Sequence, residues 1–148
     1  MNLTLSTELL NSVHAHGEAS YPQEGAGLLL GHRDGDNREV EVVLPLENTF
    51  EENQRGHRYL IDPQAMIEAE EWAEERDLTV VGVFHSHPDH PARPSEFDRE
   101  MALPWYVYVI SSIQSGDATR SRAWQLAENR EQFEEVNLQI TDAEEEAA

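Results

Sequence analysis

The chain has 148 residues, 30 of them acidic against 10 basic, for a formal net charge of −20, with no lysine and no cysteine. That length predicts one compact domain, taken as residues 1–141, able to bury about two-thirds of the unfolded surface without staples. The charge excludes a nucleic-acid backbone binder or an anionic membrane as partner, because both need basic patches, and the missing cysteines exclude disulfides, thiolate nucleophiles and Cys-based zinc sites.

Residues 3–5 read as a short extended start, and Ser6 or Thr7 can cap a helix running to about His16, with Gly17 expected to end it. Residues 26–31, Ala-Gly-Leu-Leu-Leu-Gly, read as a buried strand. Asp34-Gly35-Asp36-Asn37 is a turn, and the alternation from Glu39 to Val42 completes a hairpin. Residues 48–58 are polar and read as a loop. Asp62-Pro63 starts a helix to Arg76, with Ala65, Met66, Ala69, Trp72 and Ala73 on one arc, glutamates opposite and Ile67 the misfit. The run 78–84 is nearly continuous in strand formers, so it reads as a central strand covered on both faces.

A proline-rich loop follows, then a short helix from Ser95 and further strands at 105–110, 121–126 and 136–140. Asp142 onward is an acidic tail expected to be disordered. The order predicts an α/β (α+β) fold, a mixed sheet with helices packed around it. No run of about 18 apolar residues and no basic leader followed by an apolar stretch is present, so a soluble, cytoplasmic protein is expected. The 22 glutamates are read first as adaptation to high salt, and second as an acidic docking face. His14, His16, His32 and His57 are expected to be exposed, and Trp72, Trp105 and Trp124 to be core residues.

The chemistry concentrates between His85 and Asp98. On an extended chain, side chains two apart share a face, so His85 and His87 can aim at one point while Ser86 faces away. One further carboxylate would give three protein ligands and leave a position for water, the pattern of a catalytic zinc site. Asp89 is too close in sequence to fold back past Pro88, whereas Asp98 sits one turn into the helix that Ser95 starts. Ser95-Glu96-Phe97-Asp98 is also a plain capping box. The string His85-Ser86-His87-Pro88-Asp89-His90 matches a motif of metallo-β-lactamase-like hydrolases, but those need histidines far downstream, and His90 is the last one here.

The full string, His-x-His, seven residues, Ser, two residues, Asp, resembles the JAMM (MPN-plus) metallopeptidase signature, matched without a gap by His85, His87, Ser95 and Asp98. The segment Pro22-Gln23-Glu24-Gly25-Ala26-Gly27-Leu28-Leu29-Leu30-Gly31 resembles that family's upstream glutamate and strand, with Ala26 where many relatives have cysteine. The resemblance implies an MPN/JAMM, cytidine-deaminase-like sheet of mixed but largely antiparallel strands. It also implies Zn²⁺ on His85, His87 and Asp98, with Glu24 moving the water's proton and Ser95 donating to the oxyanion.

The implied activity is hydrolysis of the peptide or isopeptide bond after the C-terminal Gly-Gly of a ubiquitin-like or sulfur-carrier protein. The leaving group is either a lysine or a terminal amino acid such as cysteine, and the tail is expected to add as a strand to a sheet edge. The competing readings are an inactive MPN-type binding module and a zinc hydrolase of small amides. His90 and Asp89 are candidates for the site's rim or for tuning His87.

Overall fold

A computed structural model describes residues 1–141, so the tail expected from Asp142 lies outside the described residues. The elements run β1 (Asn2–Ser6), α1 (Thr7–Ser20), β2 (Ala26–Asp34), β3 (Asn37–Leu46), a 3-10 turn (Glu52–Gln54), α2 (Pro63–Glu74), β4 (Thr79–Pro88), α3 (Glu96–Met101), β5 (Val107–Gln114), β6 (Asp117–Leu126) and β7 (Phe133–Thr141). The strands close into a ring in the order β1-β3-β2-β4-β5-β6-β7.

The ring is mixed. The pairs β2–β3, β2–β4, β5–β6 and β6–β7 are antiparallel. β1 runs parallel to both β3 and β7, and β4 parallel to β5. A parallel pair needs a crossover, and the β4–β5 crossover is the segment that carries α3. The sequence pattern does not predict closure by β1, because five residues carry little periodicity. Leu3 and Leu5 are nonetheless fully buried, with Thr4 between them facing out. Among the described residues few edges remain for strand addition: β1 covers β3 only at Asn37–Glu39, leaving residues 40–46 without a second strand partner there.

Two apolar clusters lie on the two faces of the sheet. Leu29, Val81 and Phe84 pack with Val13 of α1, while Leu28, Leu30, Val80 and Val83 pack with Ala69 and Ala73 of α2. β4 contributes to both, which is why its sequence reads as a continuous apolar run. α1 starts where expected, with Ser6 Oγ accepting from the Leu9 amide at 3.1 Å. It does not stop at Gly17 but continues to Ser20. A Cβ at position 17 would stand 2.9 Å from Ile113 Cδ1 and 3.2 Å from Ser86 Cβ, so this glycine lets the helix press onto β4 and β5 instead of ending it. α2 is capped by Asp62 and turns Ile67 to solvent.

Two tryptophans depart from the core reading. Trp72 is exposed beneath the Arg76 guanidinium, 3.8 Å from its ring centre, and Trp105 is 51% exposed. Trp124 is buried, donating its indole N–H to the Ala92 carbonyl. His14 and His16 are also more enclosed than expected. His14 Nε2 lies 2.8 Å from Ser121 Oγ, and His16 packs edge-on against Phe84. Their position on α1, inside the curl of the sheet, is a tertiary property that composition does not carry.

Candidate metal centre

The site forms where β4 runs past the end of β2. The β2–β4 ladder reaches Ala26↔His85, while β5 continues beside Ser86, His87 and Pro88. The strand pleat puts His85 and His87 on one face, as their spacing predicts. Ser86, on the other, is a staple whose role the sequence did not reveal. Its Oγ accepts from the Gly25 amide at 2.8 Å, and its own amide donates to the Gly25 carbonyl at 3.0 Å. This pins the residue next to Glu24.

Glu24 is fixed further by its amide donating to the Arg55 carbonyl and by its carbonyl accepting from Asn48 Nδ2 at 2.9 Å. Asn48 is a hub. Its amide group also donates to the Arg58 carbonyl, and its Oδ1 accepts from the amides of Phe50 and Leu60. The loop that read only as polar therefore holds the upstream glutamate in place.

Three donor atoms converge. His85 Nε2 and His87 Nε2 are 3.2 Å apart, and Asp98 Oδ2 lies 3.3 Å from the first and 3.1 Å from the second. Ligands at about 2.0–2.1 Å from a tetrahedral ion stand about 3.3 Å from one another, so the triangle has the edge lengths of such a site. His87 Nδ1–H donates to the Pro91 carbonyl at 2.9 Å, an outer bond that leaves Nε2 as the lone-pair nitrogen facing Asp98. The Tyr59 ring stacks on His85 at 4.3 Å, fixing the second imidazole plane.

Asp98 satisfies both readings of its tetrapeptide at once. Its Oδ2 accepts from the Ser95 amide at 2.9 Å while Ser95 Oγ accepts from the Asp98 amide at 3.1 Å, a complete capping box. The same Oδ2 faces both histidines. The helix start thus orients the carboxylate.

The electrostatics mark a place for positive charge. Burial opposes ionisation of Asp98, but His85 and His87 outweigh it and hold the carboxyl well below its usual range. Burial lowers His85. Burial also acts to lower His87, yet Asp98 and Glu24 beside it raise it overall. Glu24 is 4% exposed, and among the described residues its Oε1 has no hydrogen-bond partner. Burial pushes its carboxyl up to about 8, with His87 pulling down and Asp98 pushing up. The ligand-type atoms of Glu24, His85 and His87 lie within 4.8 Å of one another. Two imidazole nitrogens and two carboxylates facing one buried point fit a divalent cation, with Asp98 closer to the pair and Glu24 set back.

A cleft of about 420 Å³ opens on this point, lined by Glu24, His87 and Ser95 on the chemical side and by His57, His90 and Arg93 at the rim. Asp89 is not part of it. Its oxygens accept from the Tyr21 hydroxyl at 2.6 Å and the Ser115 amide at 2.7 Å, tying the end of α1 to the β5–β6 turn. Its backbone turns there with φ 56°. Asp89 therefore shapes the exit from β4 and does not tune His87.

Fold and site define a class. Residues 6–127 match the family described as prokaryotic homologs of the JAB domain, and the chain belongs to that family, as the JAMM-type signature implied. Among its relatives, a Thermus thermophilus protein named "Probable TtuB-protein conjugate cleaving protease" is 38% identical over 69% of this chain and 64% of its own length. A Haloferax volcanii protein named "Desampylase" is 34% identical over 74% of this chain and 80% of its own length. Among solved structures, protein DSY2949 from Desulfitobacterium hafniense superposes with a TM-score of 0.83 at 30% identity, covering 95% of this chain and 93% of that one. No helix among the described residues is long and apolar enough to cross a membrane.

Proposed function

We propose that this chain is a zinc-dependent peptidase that hydrolyses the bond after the C-terminal Gly-Gly of a ubiquitin-like or sulfur-carrier protein. The observation that carries this reading is the convergence of His85 Nε2, His87 Nε2 and Asp98 Oδ2 at 3.1–3.3 Å below a buried, unpartnered Glu24 oxygen. His85, His87 and Asp98 would hold the ion. A divalent ion bound there supplies an acidified water and polarisation of a carbonyl.

The chain's own groups do the rest. Glu24 Oε1, held by the Asn48 and Ser86 contacts to its backbone neighbourhood, accepts the proton of the attacking water and delivers it to the leaving nitrogen. Its burial keeps bulk water from competing for that proton. Ser95 Oγ receives the Asp98 amide, which leaves its hydroxyl hydrogen free to donate to a developing oxyanion in the cleft. The names of the Thermus and Haloferax relatives support a protein-conjugate substrate over a small amide. Retention of all three ligands around one buried point, with His87, Glu24 and Ser95 reaching the cleft, supports an enzyme over an inactive binding module.

The test is zinc content together with cleavage of a Gly-Gly-tailed fusion. Glu24→Gln is expected to keep zinc while activity falls by about 10²–10⁴-fold. Full activity in Glu24→Gln would overturn the role given to Glu24, and loss of zinc would make that residue a ligand instead. We also read the acidity as adaptation of a cytoplasmic protein to high salt, so its melting temperature is expected to rise from dilute buffer to molar salt.

A further inference from the structure

The rim of the cleft is chemically out of character for this molecule. The chain carries three acidic residues for each arginine, yet the cleft lining holds one carboxylate, Glu24, to one arginine, Arg93, with the imidazoles of His57 and His90 beside it. Among the described residues, Arg93 and Arg120 have no ion pair, side-chain hydrogen bond or aromatic partner, whereas Arg58 lies on Phe97, Arg99 pairs with Glu96 and Arg122 with Glu135, and of the two only Arg93 lines the cleft. A free guanidinium beside a reaction centre, in a protein this rich in glutamate, points to a ligand.

The loop holds the backbone of Arg93 firmly. Pro91 and Pro94 flank it, and the Pro91 carbonyl accepts from His87. Ala92 is buried, with its carbonyl taken by the Trp124 indole. The backbone is therefore clamped on one side by a metal-site histidine and on the other by the core, with Ser95 two residues further on. Arg93 also borders a hollow of about 290 Å³, but there Glu96 is already paired with Arg99. On the side of the reaction cleft the lining offers Arg93 no paired carboxylate of this kind.

We propose that Arg93, with His57 and His90 beside it, forms a carboxylate-recognition subsite for the leaving-group half of the substrate, an inference that rests on the peptidase reading above. The planar guanidinium fork matches a carboxylate in two parallel hydrogen bonds. The carrier half offers no such group near the scissile bond, because its last two residues are glycines joined by neutral amides. The leaving half offers one in two ways: the free α-carboxylate of a single terminal amino acid, two bonds from the scissile nitrogen, or an acidic side chain next to an acceptor lysine.

The experiment compares matched substrates on the full-length, zinc-loaded protein. One arm uses a Gly-Gly-tailed carrier extended by a single alanine, as free acid and as carboxamide. The other uses the same tail on the lysine of a peptide whose neighbouring residue is Glu or Gln. In one arm kcat/KM is expected to favour the carboxylate by about 10–100-fold, the range of a charge-assisted hydrogen bond, and that arm identifies the source. Arg93→Gln is expected to bring the ratio to near one, and Arg93→Lys to retain only part of it, since the charge survives without the fork. A wild-type ratio near one in both arms, or a ratio that Arg93→Gln leaves unchanged, overturns the subsite.

The same pairs, fluorescently labelled, are titrated into the Glu24→Gln protein, which reads the preference without turnover. Arg93-dependent preference in binding with no cleavage of any substrate would sink the peptidase reading and keep the subsite. Cleavage without that preference would do the reverse.

Discussion

Two hollows in this molecule invite a ligand, and the larger one is the poorer candidate. The hollow bounded by Pro104, Trp105, Leu126 and Glu134 measures about 850 Å³, twice the 420 Å³ of the cleft above His87. None of the residues lining it belongs to the buried polar set, whereas Glu24 and His87 of the cleft do, with His85 and Asp98 directly beneath. Burying an imidazole pair and two carboxylates costs several kcal/mol unless something compensates, and the larger hollow asks for no such compensation. Stored electrostatic cost is what places the proposed chemistry at the smaller cleft. Volume does not.

The hardest test of that contrast removes the convergence itself. Asp98→Asn keeps a side chain able to cap α3 but loses the charge facing both histidines, so zinc content is expected to fall more than about tenfold and kcat/KM by about 10³-fold or more. The far-UV circular dichroism is expected to stay native. If Asp98→Asn retained stoichiometric zinc and activity, the buried set would be a structural network and the contrast between the hollows would lose its meaning.

A smaller effect separates the two duties of Ser95. Its hydroxyl oxygen caps α3, and the hydrogen on that oxygen is the one assigned to the oxyanion. Ser95→Ala is expected to lose both functions, about 1 kcal/mol of stability and about 10²-fold in kcat. Ser95→Asp restores a cap acceptor yet places negative charge where charge develops, so melting should recover while kcat stays low. Activity returning together with the cap would show that Ser95 acts only through Asp98.

Much of this site was legible because local and long-range signals coincide there. His85 and His87 sit two apart on a strand, and the pleat alone aims them together. Ser95 and Asp98 are three apart at a helix start, and the capping box alone turns the carboxylate inward. Glu24 was legible only through the family pattern, since nothing in its neighbours distinguishes it from the other glutamates. Its supports were illegible. Ser86 read as facing away, and the Asn48 loop as polar filler, because hydrogen bonds spanning 61 and 24 residues leave no periodic trace. Gly17 shows the same limit from the other side: its local signal says helix end, and the overriding reason, contact with Ile113 and Ser86, exists only once the sheet has curled. Trp72 and Trp105 depart from the core reading because a hydrophobic side chain alone does not say which face of its element meets the core.

Asn48 gives an intermediate test of how far the cleft depends on its scaffold. Asn48→Ala removes four hydrogen bonds that join the Glu24 carbonyl to the loop through residues 50, 58 and 60, and about 2 kcal/mol of stability is expected to go with them. Because Glu24 is displaced and the three proposed metal donors are not, kcat should drop while zinc stays bound. A variant that lost stability with kcat intact would mean that Ser86 alone positions the glutamate.

The smallest expected effect falls on the larger hollow, and it can break the comparison outright. Trp105 is 51% exposed there, touching Tyr106 edge-on, while its backbone carbonyl, not its side chain, takes the Arg33 guanidinium. Truncation therefore removes little buried area and only an exposed indole contact with the neighbouring Tyr106. Trp105→Ala is expected to shift stability by no more than about 0.5 kcal/mol, as surface changes do. Cleavage of a Gly-Gly-tailed fusion should stay close to wild type, because no group given a chemical role lines that hollow. Exposed aromatic rings are, however, the usual anchors of protein interfaces. A rise in KM with kcat unchanged would convert the hollow into a contact for the body of the carrier, and the molecule would then divide its labour between a small reactive cleft and a larger surface that grips.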